Sequence, residues 1–125
     1  MRLHIERKFC AAHSLGDFLG QEEAERVYGK CTHLHGHTWE VVVDLCGPVN
    51  QYGMVVNFSE VKTVIDKLDH HLINNFVKTP TAENLVQYFL DRLVEKFSFL
   101  DEIDVQVWES DTAYAEDSWT SPTKV

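Results

Sequence analysis

Alternation of apolar and polar residues over 37–46 is the feature that most constrains the fold of this chain. The apolar members of one parity are Trp39, Val41, Val43 and Leu45. Successive side chains of a β-strand point to opposite faces, so this pattern predicts a strand with one face against a hydrophobic core. Gly47-Pro48 follows directly and predicts the end of the strand.

Two further segments alternate in the same way. Near the start, one parity holds Leu3, Ile5 and Phe9, and near the end, one parity holds Ile103, Val105 and Val107. Asp111-Thr112 is then expected to turn the chain into a short last strand around Tyr114. These segments predict a sheet of four antiparallel strands.

Helical spacing of apolar residues marks two segments between the second and third strands. Asn57 and Glu60 resemble a capping box, which predicts a helix from there to about residue 70. Thr79-Pro80 predicts the start of a second helix, with Thr79 as the cap and Pro80 as the first helical residue. The order strand, strand, helix, helix, strand, strand predicts an α+β fold with both helices on one face of the sheet.

Length and charge narrow the function classes. The 125 residues predict a single domain, 1–125, and the formal net charge of −9 argues against nucleic acid as a partner. Three cysteines without a CxxC pair indicate a reducing compartment, and the first residues resemble neither a signal peptide nor a membrane span. We therefore expect a cytoplasmic protein. The long connection from Ser14 to Leu34 is expected to be a functional or disordered loop.

Histidines carry the strongest chemical signal. Residues i and i+2 of a strand share a face, so His35 and His37 are expected to lie about 7 Å apart on one face, close enough to share a metal ion. His13 falls on the apolar parity of the first strand, and pairing of the first two strands would bring it alongside both. Three nitrogen ligands leave one position open, as in catalytic zinc sites. The alternatives are two polar loop residues and one core histidine bonded to the backbone.

Three other positions are chemical candidates. Cys31 lies four residues before His35 and could be a metal ligand or a nearby base. Asp69 and His70 form either a proton relay or a solvated helix end. Glu109 continues the apolar parity of the third strand, so its carboxylate would be buried against a partner that offers two N–H donors, unless the strand ends earlier and the side chain is solvated.

Several motifs occur in the order found in the 6-pyruvoyltetrahydropterin synthase family, which the chain resembles from Phe9 to Tyr114. They are Phe9-Cys-Ala-Ala-His13, Cys31-Thr-His-Leu-His35-Gly-His37, Gly53-Met-Val-Val-Asn-Phe58, Leu68-Asp-His70, Pro80-Thr-Ala-Glu-Asn84 and Val107-Trp-Glu109. The Cys-x-x-x-His-Gly-His spacing with an upstream histidine is the most specific of these motifs.

The resemblance implies a tunnelling fold, in which three subunits close a barrel and two barrels stack as a homohexamer with active sites at subunit interfaces. It implies zinc-dependent conversion of the pterin 7,8-dihydroneopterin triphosphate with loss of triphosphate. By motif match the zinc ligands are His13, His35 and His37. Cys31 would be the proton acceptor and His70, oriented by Asp69, its relay partner. Glu109 would hold the amino-pyrimidine edge of the pterin, with Thr81 nearby.

The loop before His35 separates activities within this family. A branch that releases 6-hydroxymethyl-dihydropterin carries Glu there, whereas this chain has Cys31 and no Glu from Thr32 to Leu34. Carboxy- or pyruvoyl-forming chemistry is therefore favoured. The short chain resembles the bacterial carboxy-forming enzymes of the queuosine pathway, which release acetaldehyde. Asn57 replaces the usual Asp, Ser14 replaces a common Arg, and the segment from Ser14 to Lys30 is longer than in compact members.

Two rival interpretations remain open at the level of the sequence. In a zinc hydrolase, the open coordination position would activate water, with Glu109 as the general base. In a non-catalytic member of the fold, the same residues would only bind a pterin or a metal. Incubation with 7,8-dihydroneopterin triphosphate distinguishes the hydrolase from a lyase, and independence of Cys31 is expected only for the non-catalytic member.

Overall fold

The alternating segments form one antiparallel sheet in the computed structural model, which describes residues 1–123. Its strands are β1 (Arg2–His13), β2 (His35–Cys46), β3 (Glu102–Ser110) and β4 (Ala113–Thr120), and they lie in the order β1-β2-β3-β4. The helices are α1 (Gln21–Tyr28), α2 (Phe58–Asp66) and α3 (Ala82–Lys96), with 3-10 turns at Gly29–Thr32 and Ile73–Asn75. No helix among residues 1–123 has the length and apolar character needed to cross a membrane.

The core lies between one face of the sheet and the helices. The apolar parity of β2 is fully buried there, as Trp39, Val41, Val43 and Leu45. Phe89 from α3 packs edge-on against Phe9 of β1, and Phe9 stacks on Trp39. Removing a buried aromatic side chain of this kind costs about 3–5 kcal/mol, so this layer fixes which face of each strand points inward.

Helix α2 is shorter than its apolar spacing predicts. The Asn57 side chain caps it as expected, because Asn57 Oδ1 accepts from the Ser59 N–H at 3.0 Å. The helix ends at Asp66, however, and not near residue 70. His70 adopts a positive φ of 60°, and its backbone N–H donates to the Cys10 carbonyl of β1 at 2.6 Å. Hydrogen bonding to the sheet edge thus replaces the last helical turn.

Helix α3 begins two residues later than the sequence predicts. Its N-cap is Thr81, whose hydroxyl accepts from the Asn84 N–H at 3.2 Å, and not Thr79. Pro80 therefore precedes the helix, where its carbonyl oxygen accepts a hydrogen bond from the His13 ring at 2.8 Å. The prediction of Pro80 as the first helical residue was wrong because Thr81 supplies a better-placed cap.

The connection from Ser14 to Leu34 contains regular secondary structure, so it is not a disordered loop, and a functional role for it stays a prediction. It contains α1 and the 3-10 turn, and only Ala24 of α1 is buried. Gly16 has a φ of 87°, and a side chain there would come within 2.9 Å of Ala24 Cβ. A helix with one buried residue leaves too weak an apolar pattern to be predicted from the sequence.

Candidate metal centre and active site

Three histidine side chains converge where β1 and β2 pair. In the antiparallel register His13 lies opposite His35, and Ala11 lies opposite His37. The ring centroid of His13 lies 4.5 Å from that of His35 and 5.2 Å from that of His37. His13 is fully buried, whereas His35 and His37 are partly exposed. The structure therefore brings together the three residues that the sequence singled out as metal ligands.

Hydrogen bonding shows which ring nitrogens are available to a metal. His13 Nδ1 lies 2.8 Å from the Pro80 carbonyl oxygen, and His35 Nδ1 lies 2.6 Å from the His33 carbonyl oxygen. A carbonyl oxygen only accepts, so both Nδ1 atoms carry the hydrogen and both Nε2 atoms of the neutral rings present a lone pair. These two Nε2 atoms face each other at 3.0 Å. Facing lone pairs repel unless a cation lies beside them.

Burial favours the metal-binding form of the His13 and His37 rings. Burial is the main cause that lowers the pKa of His13, and the neighbouring histidines lower it further. Burial likewise lowers the pKa of His37 against the opposing effect of Glu109. Neutral imidazole is the ligating form, so desolvation prepares the cluster for a cation.

The carboxylate of Glu109 completes a group of four ligand atoms. Its Oε1 lies 3.1 Å from His37 Nε2 and 3.9 Å from His13 Nε2, and the four candidate ligand atoms all lie within 4.8 Å of one another. Among the residues described, His37 Nε2 is buried without a hydrogen-bond partner. Zinc bound tetrahedrally at 2.0–2.1 Å separates its ligand atoms by about 3.3 Å. The residues present thus fit zinc.

Two positioning contacts around the histidines were not expected from the sequence. Asn74 holds the end of β1 through both its amide atoms, since Oδ1 accepts from the Ser14 N–H at 3.0 Å and Nδ2 donates to the Ser14 carbonyl at 2.9 Å. The second contact is the Pro80 carbonyl on His13. Every residue has a backbone carbonyl, so the residue type at position 80 could not have identified that contact.

Asp69 and His70 lie on the outer edge of β1, close to the histidines. Asp69 Oδ1 lies 3.0 Å from His70 Nδ1 and accepts from the Cys10 backbone N–H at 3.0 Å. The Cys10 N–H and then His70 lower the pKa of the Asp69 carboxyl, which keeps it ionised. His70 and His37 both line one open cavity of about 650 Å³. The cavity therefore lies between His70, the predicted relay residue, and His37, one member of the metal cluster.

Cys31 is the predicted site residue that this chain does not bring to the others. It lies half-buried in the 3-10 turn at Gly29–Thr32, and its carbonyl accepts from the Leu15 N–H at 2.9 Å. Among residues 1–123, its thiol forms no hydrogen bond with His70 and does not belong to the group of candidate metal ligands.

Glu109 borders a second, smaller recess next to the start of α3. The Thr81 hydroxyl is engaged as the α3 cap, and the next residue, Ala82, lines a cavity of about 340 Å³ together with Glu109 and Tyr114. Glu109 lies between this recess and the histidines. The substrate-binding role of Thr81 remains a prediction.

Comparison with known proteins places this geometry in context. The family model described as 6-pyruvoyl tetrahydropterin synthase matches residues 2–118. A protein of Archaeoglobus fulgidus, named provisionally as 6-carboxy-5,6,7,8-tetrahydropterin synthase, is 32% identical over 120 residues, which cover 93% of this chain and 94% of that protein. The 6-pyruvoyl tetrahydrobiopterin synthase of Dictyostelium discoideum is 34% identical over 110 residues, covering 78% of this chain and 82% of that protein.

Among solved structures, the 6-pyruvoyl tetrahydropterin synthase of Caenorhabditis elegans superposes with a TM-score of 0.75 at 26% identity, over 96% of this chain and 94% of that chain. The predicted α+β tunnelling fold is thereby confirmed. The chain is about equally identical to a protein named for a 6-carboxy product and to one named for a 6-pyruvoyl product. Sequence identity therefore does not distinguish the two reactions.

Proposed function

Because the chain belongs to the 6-pyruvoyl tetrahydropterin synthase family, we propose that it is a zinc-dependent lyase that makes 6-carboxy-5,6,7,8-tetrahydropterin from 7,8-dihydroneopterin triphosphate. The observation that carries the proposal is the convergence of His13, His35 and His37 with Glu109. One member of this cluster, His37, also lines the cavity that His70 lines. This combination offers a Lewis-acid position next to a cavity of substrate size, and the proposed proton-transfer group lines the same cavity.

The proposed reaction is balanced without an external oxidant. One water and one 7,8-dihydroneopterin triphosphate give 6-carboxytetrahydropterin, acetaldehyde and triphosphate. The C–O bond to triphosphate and one C–C bond of the side chain break. The ring gains two hydrogens while the side-chain carbon attached to it is oxidised to a carboxylate, so the substrate is its own reductant.

His13, His35 and His37 are the proposed zinc ligands. Bound zinc would supply Lewis-acid polarisation of the side-chain hydroxyls and stabilise negative charge that develops on oxygen. The chain holds these imidazoles ready, because Pro80 and the His33 carbonyl fix the Nδ1 protons and leave each Nε2 directed into the site.

Proton transfer is assigned to Cys31 and to the Asp69–His70 pair. Cys31 would accept the proton from the side-chain carbon next to the ring, and His70 would relay protons while Asp69 holds its ring 3.0 Å away. In one chain Cys31 lies apart from His70. The proposal therefore includes a homohexamer, a dimer of trimers, in which residues of neighbouring subunits complete each active site.

The proposed cellular setting follows from the product. A 6-carboxytetrahydropterin is an intermediate on the route to queuosine and related 7-deazaguanines, and we place the protein in the cytoplasm. Its net charge of −9 opposes a triphosphate at long range, so attraction has to come from local cations. No role in binding nucleic acid or membranes is proposed.

The second candidate is a 6-pyruvoyltetrahydropterin synthase, favoured by the 34% identity to the Dictyostelium protein. That reaction also eliminates triphosphate, but it breaks no C–C bond and consumes no water. The first steps would use the same residues, so the site geometry is compatible with both products.

Product analysis separates these functions. Purified zinc-loaded protein is incubated with 7,8-dihydroneopterin triphosphate, and pterins, acetaldehyde and triphosphate are quantified by chromatography and mass spectrometry. We expect 6-carboxytetrahydropterin with equimolar acetaldehyde and triphosphate. A pyruvoyl product would establish the second candidate. Hydrolysis without change at the side-chain carbons would indicate a zinc hydrolase, and an unchanged pterin bound to the protein would indicate a non-catalytic member of the fold.

A further inference from the structure

The position of Glu109 beside the histidines has a second use. We propose that Glu109 is the fourth metal ligand of the resting site and that it leaves the metal when a pterin binds. The resting site would then be closed by a carboxylate, and a substrate hydroxyl would take the position that the carboxylate vacates.

The separations of the ligand atoms support the first half of the proposal. Glu109 Oε1 lies 3.1 Å from His37 Nε2 and 3.9 Å from His13 Nε2, and His13 Nε2 lies 3.0 Å from His35 Nε2. These three separations scatter around the roughly 3.3 Å between ligand atoms of a tetrahedral zinc site, and all four ligand atoms lie within 4.8 Å of one another. A carboxylate placed only to bind a distant pterin ring would have no reason to approach the imidazoles this closely.

The contact between Glu109 and His37 is not an ordinary hydrogen bond. The two atoms are 3.1 Å apart, yet His37 Nε2 lacks a hydrogen-bond partner of acceptable geometry among residues 1–123. A buried nitrogen and a carboxylate oxygen that approach without a shared hydrogen are costly to desolvate. A cation bound by both atoms would remove that cost.

A cavity next to Glu109 supplies the place to which the carboxylate can move. The side chain is one-third exposed and borders the 340 Å³ recess, whose other walls include Ala82, Ala113 and Tyr114. Rotation into the recess would present both carboxylate oxygens to two parallel N–H donors, the pattern of an amino-pyrimidine edge. This half of the inference rests on the proposed function, because it assumes a pterin ligand. The ligand role in the resting site does not.

Metal binding without substrate tests the resting-site ligand. Metal-free protein is titrated with Co²⁺, whose visible absorption reports coordination, and with Zn²⁺ in competition with a chelator. Glu109→Gln is compared with the native chain and with Glu83→Gln, a matched control that lines the same recess away from the histidines. Glu109→Asp tests reach with the charge retained.

We expect Glu109→Gln to lower the Zn²⁺ affinity at least about tenfold, since even loss of a residue that only orients a ligand costs about 10- to 100-fold. Its Co²⁺ spectrum should change in band position and intensity, while Glu83→Gln should match the native protein. Equal affinities and superimposable spectra for Glu109→Gln and the native chain would overturn the assignment. Circular dichroism and thermal unfolding of each variant establish that it is folded.

Displacement is tested by adding 7,8-dihydroneopterin, which lacks the triphosphate leaving group, to the Co²⁺ protein. A spectral change in the native protein that is much reduced in Glu109→Gln supports exchange. Binding of the pterin, detected by fluorescence, with an unchanged Co²⁺ spectrum refutes exchange. Absence of pterin binding would contradict the proposed function and the exchange together, while the result for the resting ligand would stand on the metal titration.

Discussion

The backbone N–H of His70 donates to the carbonyl oxygen of Cys10 at 2.6 Å, and the Cys10 N–H donates to the Asp69 carboxylate at 3.0 Å. This reciprocal pair fastens the Asp69–His70 turn to the edge of β1, three residues before His13. The relay and the metal cluster are therefore positioned by the same strand.

Replacement of His70 tests the relay. His70 has a φ of 60°, which alanine adopts poorly and asparagine tolerates, so His70→Asn removes the imidazole with little backbone strain. We expect kcat to fall by about 10²- to 10⁴-fold, the usual contribution of a general acid or base, with zinc content unchanged. The pH–rate profile should also lose one limb. His71→Asn is the control, and an equal loss in both variants would indicate a structural effect.

Replacement of Cys31 tests the proposed base. Cys31→Ala should abolish turnover while zinc stays bound, because the ligand atoms come from the histidines and Glu109. Turnover is followed by pterin chromatography and zinc by atomic emission. Cys46→Ala, at the far end of β2, is the matched control. Loss of zinc in Cys31→Ala would show that the thiol is a ligand, and full activity would support a non-catalytic protein.

Metal removal tests whether a cation binds beside the Nε2 atoms of His13 and His35, which face each other. At zinc concentrations about 100-fold above Kd, the native protein should gain about 2.7 kcal/mol in its free energy of unfolding over the metal-free form. His35→Ala should lose most of this gain, whereas His33→Ala should keep it, because the His33 carbonyl that orients His35 is unaffected by the substitution. Thermal unfolding with and without EDTA measures both. An equal response of the two variants would refute the metal site.

Asp104 predicts a pH dependence on the opposite face of the sheet. Burial is the main cause that raises the pKa of Asp104 to about 6, and Glu116 and Asp44 raise it further against the opposing charge of Arg2. Because the folded pKa exceeds the unfolded value of about 3.9, this stabilising contribution is full below pH 4 and is lost as the pH rises through 6.

Asp104→Asn should therefore stabilise the protein at pH 8 by about 1 kcal/mol, less than the full shift implies because solvent screens the neighbouring charges. At pH 4 the difference should vanish. Urea unfolding at both pH values gives the comparison, with Asp117→Asn as a control, since its pKa is lowered by the Ser118 N–H and Gln87. A stabilisation that is the same at both pH values would contradict the pKa of Asp104.

Much of the fold could be predicted because alternation has a direct physical cause. Trp39 and Val41 had to face a core, and the placement of the helices followed from that. Element ends were less predictable. The apolar spacing continues past Asp66, and only the tertiary hydrogen bond from His70 to β1 explains why the helix stops there.

In the candidate site, too, some features could be predicted from the sequence and others could not. His13 was identifiable because a polar residue on an apolar parity needs a partner, and HxH spacing identified the other two histidines. The approach of Glu109 to His37 was not predictable, because it depends on how far one side chain reaches across the end of the sheet. The order of the motifs along the chain also did not predict that Cys31 lies apart from His70.

The turn that carries Asp69 and His70 also shortens the open edge of the sheet. It occupies β1 from Cys10 to Ala12, where His71 and Leu72 pair with the strand, so within residues 1–123 only Arg2–Phe9 has no neighbour on its outer side. The other edge strand, β4, spans the eight residues Ala113–Thr120 and matches that open stretch in length. A β4 strand of a second copy added there would be stopped by the turn. In the proposed homohexamer, the turn would therefore limit the register with which the β1 and β4 strands of neighbouring subunits can pair.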